Sequence, residues 1–367
     1  MNLALEHKER LNKATKLMSV HGVSTLLITP GPNLRYLTGY KAKNLERLTC
    51  LVLQLDEMPK LIVPNLEKLA AIESGINEID VEIATWDETE SAFEKVKRPR
   101  NNGKVAVDSN MNSSKLLEFQ KIFDESKFID TGLIMNDLRS IKSSYEIDQL
   151  LLAGNFIDEV HMAIPTLFKI GDTERSLAKK IGNLIIEVGH ESVDFTIVAT
   201  GKNSASPHHE PGDNLLNKGD VLVIDIGGTT PNGYCSDSTR TYVIGECSPE
   251  FQSNYEILRQ AQELTVDAVR NDLSAEQLDA VARDHLTKHG LGDYFIHRTG
   301  HGIGMETHEE PYIVLGNKSP IQSGNAFSIE PGFYIEGKYG ARIEDIVVKS
   351  VNNVVNCNNS TKDLVFI

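Results

Sequence analysis

Two carboxylates stand where a strand pattern asks for apolar side chains. Val221-Leu-Val-Ile-Asp225-Ile-Gly-Gly reads as a β-branched strand, Thr229-Thr-Pro-Asn-Gly233 as a turn, and Tyr234-Cys-Ser-Asp237-Ser-Thr-Arg240-Thr-Tyr-Val-Ile244 as the returning strand. Asp225 ends one apolar run and Asp237 lies inside the other, so the two acids face each other across a ladder. A buried carboxylate without a partner is costly or takes up a proton. A cation between the two removes the conflict, and a metal ion is the simplest such cation.

Further ligand types follow in Gly300-His301-Gly-Ile-Gly304, Ile329-Glu330-Pro-Gly-Phe333 and Ala341-Arg342-Ile-Glu344-Asp345. Glu330 closes a strand expected over 326–329 and Glu344 lies in one expected over 341–348, which loosely repeats the two-acid hairpin. Four carboxylates and one imidazole suit two divalent first-row ions of intermediate hardness better than a thiolate zinc site. Two dications also neutralise four carboxylates.

Taken together, Asp-Ile-Gly-Gly, Ser-Asp-Ser-Thr-Arg, His-Gly-Ile-Gly, Glu-Pro-Gly and Arg-Ile-Glu-Asp resemble the pita-bread metallopeptidases, which include prolidase, aminopeptidase P and methionine aminopeptidase. The resemblance runs from about residue 143 to the C-terminus. It implies Asp225 and Asp237 on one ion and His301 on the other, with Glu330 and Glu344 shared between or completing them, the metals being Mn, Co or Zn. One departure is visible: the stretch from Asp225 to Asp237 is one residue longer than in the better-known members. A one-residue shift would turn Asp237 to the opposite strand face, so the turn over 229–233 must absorb it.

Five of the eleven histidines, His208, His209, His297, His301 and His308, fall in two short stretches. His308 and His208 match family histidines that contact substrate or the tetrahedral intermediate, with His209 replacing His208 if the loop register differs. His297 is expected behind the ligands. Arg342 matches an arginine that pairs with a ligand carboxylate or the substrate, and Asp345 points away from Glu344 along the strand. Gly302 and Gly304 are expected to give the backbone room beside the metals. Cys235 shares a face with Asp237 but reads as core filler.

These residues need a scaffold. The chain has 367 residues, 40% apolar and 24% charged, with a formal charge of −15. That charge argues against nonspecific nucleic-acid binding. No apolar run is long enough for a membrane span, and four scattered cysteines fit a reduced compartment, so a cytoplasmic protein is expected. Residues 6–21 read as a helix ended by Gly22. Strands over 24–29, 48–55, 61–64, 80–84, 104–108 and 127–129 then alternate with helices from 65, over 88–96 and over 113–123, with a turn at 30–33 and a loop at 99–103. The fold class expected is a small N-terminal α/β domain over 1–132 and a C-terminal α+β domain over 143–367, whose curved antiparallel sheet carries helices outside and ligands on its concave face. Helices over 145–169 and 173–188 precede a strand over 195–199. Ser248-Pro249 and the capping box Ser274-Ala-Glu-Gln277 open two more.

The N-terminal pattern, including Asn33-Leu-Arg-Tyr-Leu-Thr-Gly39-Tyr, is similar to the domain carried by creatinase, prolidase and aminopeptidase P. Its presence disfavours methionine aminopeptidase, the intact ligand set disfavours creatinase, and the same set disfavours an inactive binding module. The reading is therefore a homodimeric, dinuclear exopeptidase acting on short proline-containing peptides: an Xaa-Pro dipeptidase, with aminopeptidase P as the rival. A dipeptidase needs a cation for the free carboxylate of the substrate. Some prolidases place an arginine a few positions after the His-Glu pair, where this chain has Tyr312. Arg298, Arg342, Arg35 and Arg47 are the alternatives.

Overall fold

The computed structural model describes residues 3–98, 103–124, 126–351 and 353–367. The chain divides into two units, Met1–Arg139 and Ser140–Ile367. Of the loop expected at 99–103, all but Gly103 lies outside the described residues.

In the first unit, helix Leu3–His21 buries Leu11, Ala14 and Met18 at helical spacing and is followed by Gly22 at φ +66. Six strands follow: β1 (Val23–Ile28), β2 (Cys50–Gln54), β3 (Lys60–Pro64), β4 (Glu82–Trp86), β5 (Lys104–Val107) and β6 (Phe128–Asp130). They form one mixed sheet in the order β4-β3-β2-β1-β5-β6. Two expectations change here. The turn at 30–33 continues into helix Pro32–Thr38, because proline at the first position presets φ for a helix; Gly39, at φ 75, caps it through its N–H on Arg35 O. The helix expected over 88–96 is only the 3₁₀ turn Ala92–Lys95, whose N-cap makes no side-chain hydrogen bond. Only Ala92 and Val96 bury there, too small an apolar face to offset helix nucleation.

The second unit opens with helices Ser144–Leu167 and Glu174–Glu187, each entered through a capping box, Ser143 with Glu146 and Thr173 with Ser176. Strands β7 (Ser192–Thr200), β8 (Val221–Thr229) and β9 (Cys235–Val243) follow. After helices Pro249–Ala268 and Ala275–Lys288 come β10 (Gly300–Gly302), β11 (Glu309–Ile313), β12 (Ala326–Ile329), β13 (Gly332–Ile335), β14 (Tyr339–Arg342), β15 (Asp345–Lys349), β16 (Val354–Asn356) and β17 (Val365–Phe366). The sheets run β17-β9-β8-β7, β11-β10-β12-β15-β16 and β13-β14. Ser248 and Ser274 cap their helices as their sequences require.

Alternation decides what each strand face meets. Leu222, Ile224 and Ile226 pack under Ile157, Val160, Leu177, Ile181 and Ile185 of the first two helices. Each fully buried Leu or Ile contributes about 1.5–3 kcal/mol, which is ample to pin the register and send Asp225 to the opposite face. In the same way Phe327, Ile329 and Val347 face Val269 and Leu278, leaving Ser328 and Glu330 on the other side. All four cysteines are free, and Cys235 joins a core cluster with Leu150, Tyr234 and Ile303.

His161 stands at this interface, with Nδ1 3.0 Å from the Tyr242 hydroxyl and Nε2 3.1 Å from Ser238 O. Burial, helped by Arg240, lowers its pKa to about 3. Because the folded value lies below the unfolded 6.5, its contribution is complete above pH 6.5 and is lost as pH falls towards 3. The slope is up to about 1.4 kcal/mol per pH unit. In metal-loaded protein the urea midpoint should therefore drop between pH 7 and pH 5, and less steeply in His161→Gln; parallel drops in the two proteins would remove His161 from the account.

Candidate active site

The β8–β9 ladder is continuous from Val221↔Val243 to Thr229↔Cys235, so the extra residue lies in the turn. Within it Asp225 pairs with Thr239 and Gly227 with Asp237. The acids share a face, but they are diagonal neighbours and not directly opposed, because the five residues between Thr229 and Cys235 set the register. Both are buried.

The second pair of acids arises differently. A single strand over 341–348 does not form; the backbone breaks at Ile343-Glu344, between β14 and β15. On the opposing arm Glu330-Pro331 interrupts the ladder between Ile329↔Asp345 and Gly332↔Arg342. At the break the Glu344 amide donates to Thr239 O at 3.1 Å, while Thr241 Oγ1 exchanges hydrogen bonds with the Arg342 backbone. The hairpin leaves its own ladder because it docks on β9, and that docking brings Glu344 to the β9 acid.

His301 reaches the cluster from β10. Its amide donates to Ser328 Oγ at 3.0 Å, and its Nδ1 lies 3.2 Å from Gly302 O, which leaves Nε2 free to ligate. The close pairing of β10 needs its glycines: a Cβ at Gly300 would sit 1.8 Å from Ser328 O, and one at Gly302 2.3 Å from Glu310 O. Their room therefore serves neighbouring backbone.

Ligand atoms of Asp237, His301 and Glu344 all lie within 4.8 Å of one another. Glu330 Oε1 is 3.2 Å from His301 Nε2, and Asp237 Oδ2 is 3.7 Å from it. Burial, then Glu344 and Asp225, pushes Asp237 well above the carboxylate range; burial, then Glu330 and Asp225, does the same to Glu344. Burial raises Glu330 to about 7 against the opposing pull of Arg342. His301 is held neutral, its pKa lowered to about 3 by burial and then by His308. Asp225 Oδ1 is buried with no hydrogen-bond partner. Hard carboxylate oxygens, one neutral imidazole and an orphaned anionic oxygen are the donor set that divalent ions satisfy.

Several partners hold these donors in place. Arg342 contacts Asp225 Oδ2 at 2.5 Å, Thr239 Oγ1 at 2.9 Å and the Tyr334 hydroxyl at 2.7 Å. Thr239 Oγ1 also donates to Glu344 Oε2 at 2.7 Å, and Ser328 Oγ to Glu330 Oε1 at 2.9 Å. His297 Nε2 lies 3.0 Å from the Tyr334 hydroxyl, so it reaches Asp225 only through Tyr334 and Arg342. Sequence reading missed Tyr334, Thr239 and Ser328. The two-residue spacing of Thr239 from Asp237 and of Ser328 from Glu330 was the available signal for two of them. Asp345 faces away, accepting from Arg240, Gln262 and Lys362.

The remaining histidines separate by contact. The His308 ring lies 4.0 Å from that of His301. His208 is exposed and follows Pro207, whose carbonyl accepts from Arg342 Nη1 at 3.4 Å. His209 instead meets Glu174 at 2.8 Å. Glu174, fully buried, also gathers Thr200 N, Asn203 Nδ2, Gly212 N and Asn214 Nδ2, and so ties down the loop that carries both histidines. No signal beyond an acid in a helix's first turn marked Glu174. Tyr312 lies under the Arg298 guanidinium, 4.5 Å from it.

A concave carboxylate-rich cluster on paired hairpins, with helices behind, defines a pita-bread metal-dependent hydrolase. The chain belongs to Metallopeptidase family M24, which it matches over residues 148–350, and it matches the Creatinase/Prolidase N-terminal domain over 10–141. Among solved structures it is similar to dipeptidase PepE from Mycobacterium ulcerans (40% identity, 99% of this chain and 98% of that one, TM-score 0.92). It is also similar to a prolidase from Thermococcus sibiricus (37%, 98% and 99%, TM-score 0.91). The Xaa-Pro dipeptidase of Pyrococcus furiosus is 32% identical over 97% of this chain and 99% of that protein.

Proposed function

We propose that this chain is an Xaa-Pro dipeptidase that hydrolyses the bond between an N-terminal residue and a C-terminal proline. The observation that carries the reading is the convergence of Asp237, His301 and Glu344, in a chain that aligns from end to end with dipeptidases and prolidases. The residues that would hold two divalent ions are Asp225, Asp237, His301, Glu330 and Glu344, with Mn, Co or Zn suited to this mix of donors. The chemistry such ions supply when bound is Lewis acidity toward the scissile carbonyl and acidification of the attacking water.

The protein's own groups do the rest. Glu330, with Oε1 steadied by Ser328 Oγ, takes the proton of the attacking water and passes it to the proline nitrogen, which must be protonated to leave. His308, whose ring lies 4.0 Å from that of His301, and His208 would donate to the developing oxyanion, an effect worth about 10²–10⁴ in rate for a positioned acid or base. Arg342, through Asp225, keeps a ligand carboxylate oriented, and His297 and Tyr334 keep Arg342 in place. Free cysteines support a reducing, cytoplasmic setting, and the family resemblance extends to a homodimer.

The rival, cleavage of longer Xaa-Pro peptides, has support in the likeness to an X-Pro aminopeptidase from Thermotoga maritima (27% identity, TM-score 0.82). The two part on one assay. With Mn, Co or Zn supplied, Xaa-Pro should be turned over faster than Xaa-Pro-Xaa. A large preference for the tripeptide would assign the chain to the aminopeptidase.

A further inference from the structure

Glu344 is held from the site side by Thr239, whose backbone oxygen takes its amide at 3.1 Å and whose hydroxyl reaches its carboxylate at 2.7 Å. Its carbonyl needs a different partner. Glu344 falls between the ladder that ends at Ile329↔Asp345 and the one that begins at Gly332↔Arg342, and a buried carbonyl left unpaired is costly. Arg240 fills that role from behind: Nη1 donates to Glu344 O at 2.7 Å, closer than Ser238 Oγ at 3.4 Å.

Strand alternation puts Arg240 on the face of β9 opposite Asp237 and Thr239, and the residue is buried. Every N–H of its guanidinium has an acceptor. Besides Glu344 O, Nη1 reaches Thr239 O at 2.9 Å; Nη2 reaches Asp345 Oδ1 at 2.6 Å and Ser360 O at 3.0 Å; Nε reaches Thr361 O at 2.9 Å. One side chain therefore joins β9, the hairpin that carries Glu344 and the C-terminal segment. That segment is itself anchored. Asn358 Oδ1 accepts from Ile346 N at 2.8 Å, Lys362 Nζ lies 2.9 Å from Asp345 Oδ2, Lys362 O accepts from the Tyr255 hydroxyl at 2.9 Å, and β17 pairs in parallel with β9 at Val365↔Tyr242. A lysine could not span these acceptors, because its donors radiate from one nitrogen whereas the guanidinium is a rigid planar fork.

We infer that Arg240 is a positioning residue for the metal centre, fixing Glu344 through its carbonyl, and that the segment over 358–363 belongs to the scaffold of the site because it fixes Arg240. This rests on the ligand set proposed above. With its amide on Thr239 and its carbonyl on Arg240, the Glu344 backbone cannot turn, so its carboxylate is aimed before any ion arrives. A donor held in place beforehand loses less freedom on binding. Arg240 touches no reacting atom, and its effect passes through Glu344 alone.

The test is titration of Mn into the full-length, chelator-stripped protein, well below its melting temperature, for wild type, Arg240→Gln, Arg240→Lys, Asp345→Asn and His161→Gln, with a urea midpoint for each. Arg240→Gln should weaken Mn binding by about 10- to 100-fold, the loss typical of an outer partner of a ligand. Arg240→Lys should recover part of that loss, and Asp345→Asn, which loosens the grip on Nη2, should show a smaller one. His161→Gln is the control for a merely structural role: it touches the same strand at Ser238 O, and it should lower the urea midpoint while Mn affinity stays at the wild-type value. Turnover of an Xaa-Pro dipeptide by Arg240→Gln should fall at limiting Mn and recover as Mn is raised, with KM for the peptide unmoved. If Arg240→Gln does not fold, Arg240→Lys and Asp345→Asn carry the same comparison. Wild-type Mn affinity in the Arg240 variants, or an equal weakening in His161→Gln, would overturn the role of Arg240 and leave the ligand set standing. A wild type that binds no Mn, Co or Zn overturns the ligand set and this inference with it.

Discussion

Asp237→Asn and Glu344→Gln should each abolish peptide hydrolysis and lower the metal bound per chain. Both swaps keep volume and remove only the anionic charge, so a loss of metal reports ligation and not packing. The fall should exceed the ~10- to 100-fold typical of losing a residue that merely supports a ligand. Thr239→Val provides that comparison, because Thr239 Oγ1 touches Glu344 and Arg342 without belonging to the donor set. Metal analysis beside kcat separates the two classes. Either carboxamide variant keeping its metal and wild-type turnover would remove that residue from the ligand set.

Chelation should destabilise the protein by a similar logic. Asp237, Glu344 and Glu330 lie buried together with raised pKa values, Glu330 at about 7. Ligation would hold them ionised and neutralised, while without a cation they repel. A ligand at 100 to 1,000 times its Kd adds about 3–4 kcal/mol, so metal should raise the melting temperature on the order of 10 °C for a unit of this size. The pH dependence of the stripped protein follows from the sign of the shift. Folded values above the unfolded ones mean that the contribution is present at low pH and is lost as pH rises through the folded pKa. The stripped site should therefore recover stability as pH falls from 8 to 6, the opposite sense to His161, and the metal-loaded site should not. Without metal, Asp237→Asn should melt no lower than wild type, because it removes one of the repelling charges. Coincident melting curves for stripped and loaded wild type would refute a site of this charge density.

The sequence alone determined the parts of this protein that depend on neighbours in the chain. Alternation along 221–229 and 235–243 sent Asp225 and Asp237 to one face, since an apolar strand face needs the helices and a polar one cannot take them. Ser248 and Ser274 marked helix starts because a cap satisfies amides only two or three residues away. The five candidate ligand residues, in order, named the chemistry. It failed where local pattern was indifferent, as at 88–96, whose few buried side chains could not sustain a helix.

Only the tertiary structure decided which groups meet. Arg342 and Asp225 are 117 residues apart and pair because one hairpin docks on the other; the same docking breaks the strand at Ile343-Glu344, whose amide prefers Thr239 O. His208 and His209 are equivalent in sequence, and they differ only because Glu174, 35 residues earlier, claims His209. Arg298 and Arg342 are both plausible cations on paper. A side chain's availability depends on which acceptors the fold brings within about 3 Å, and no strand period encodes that.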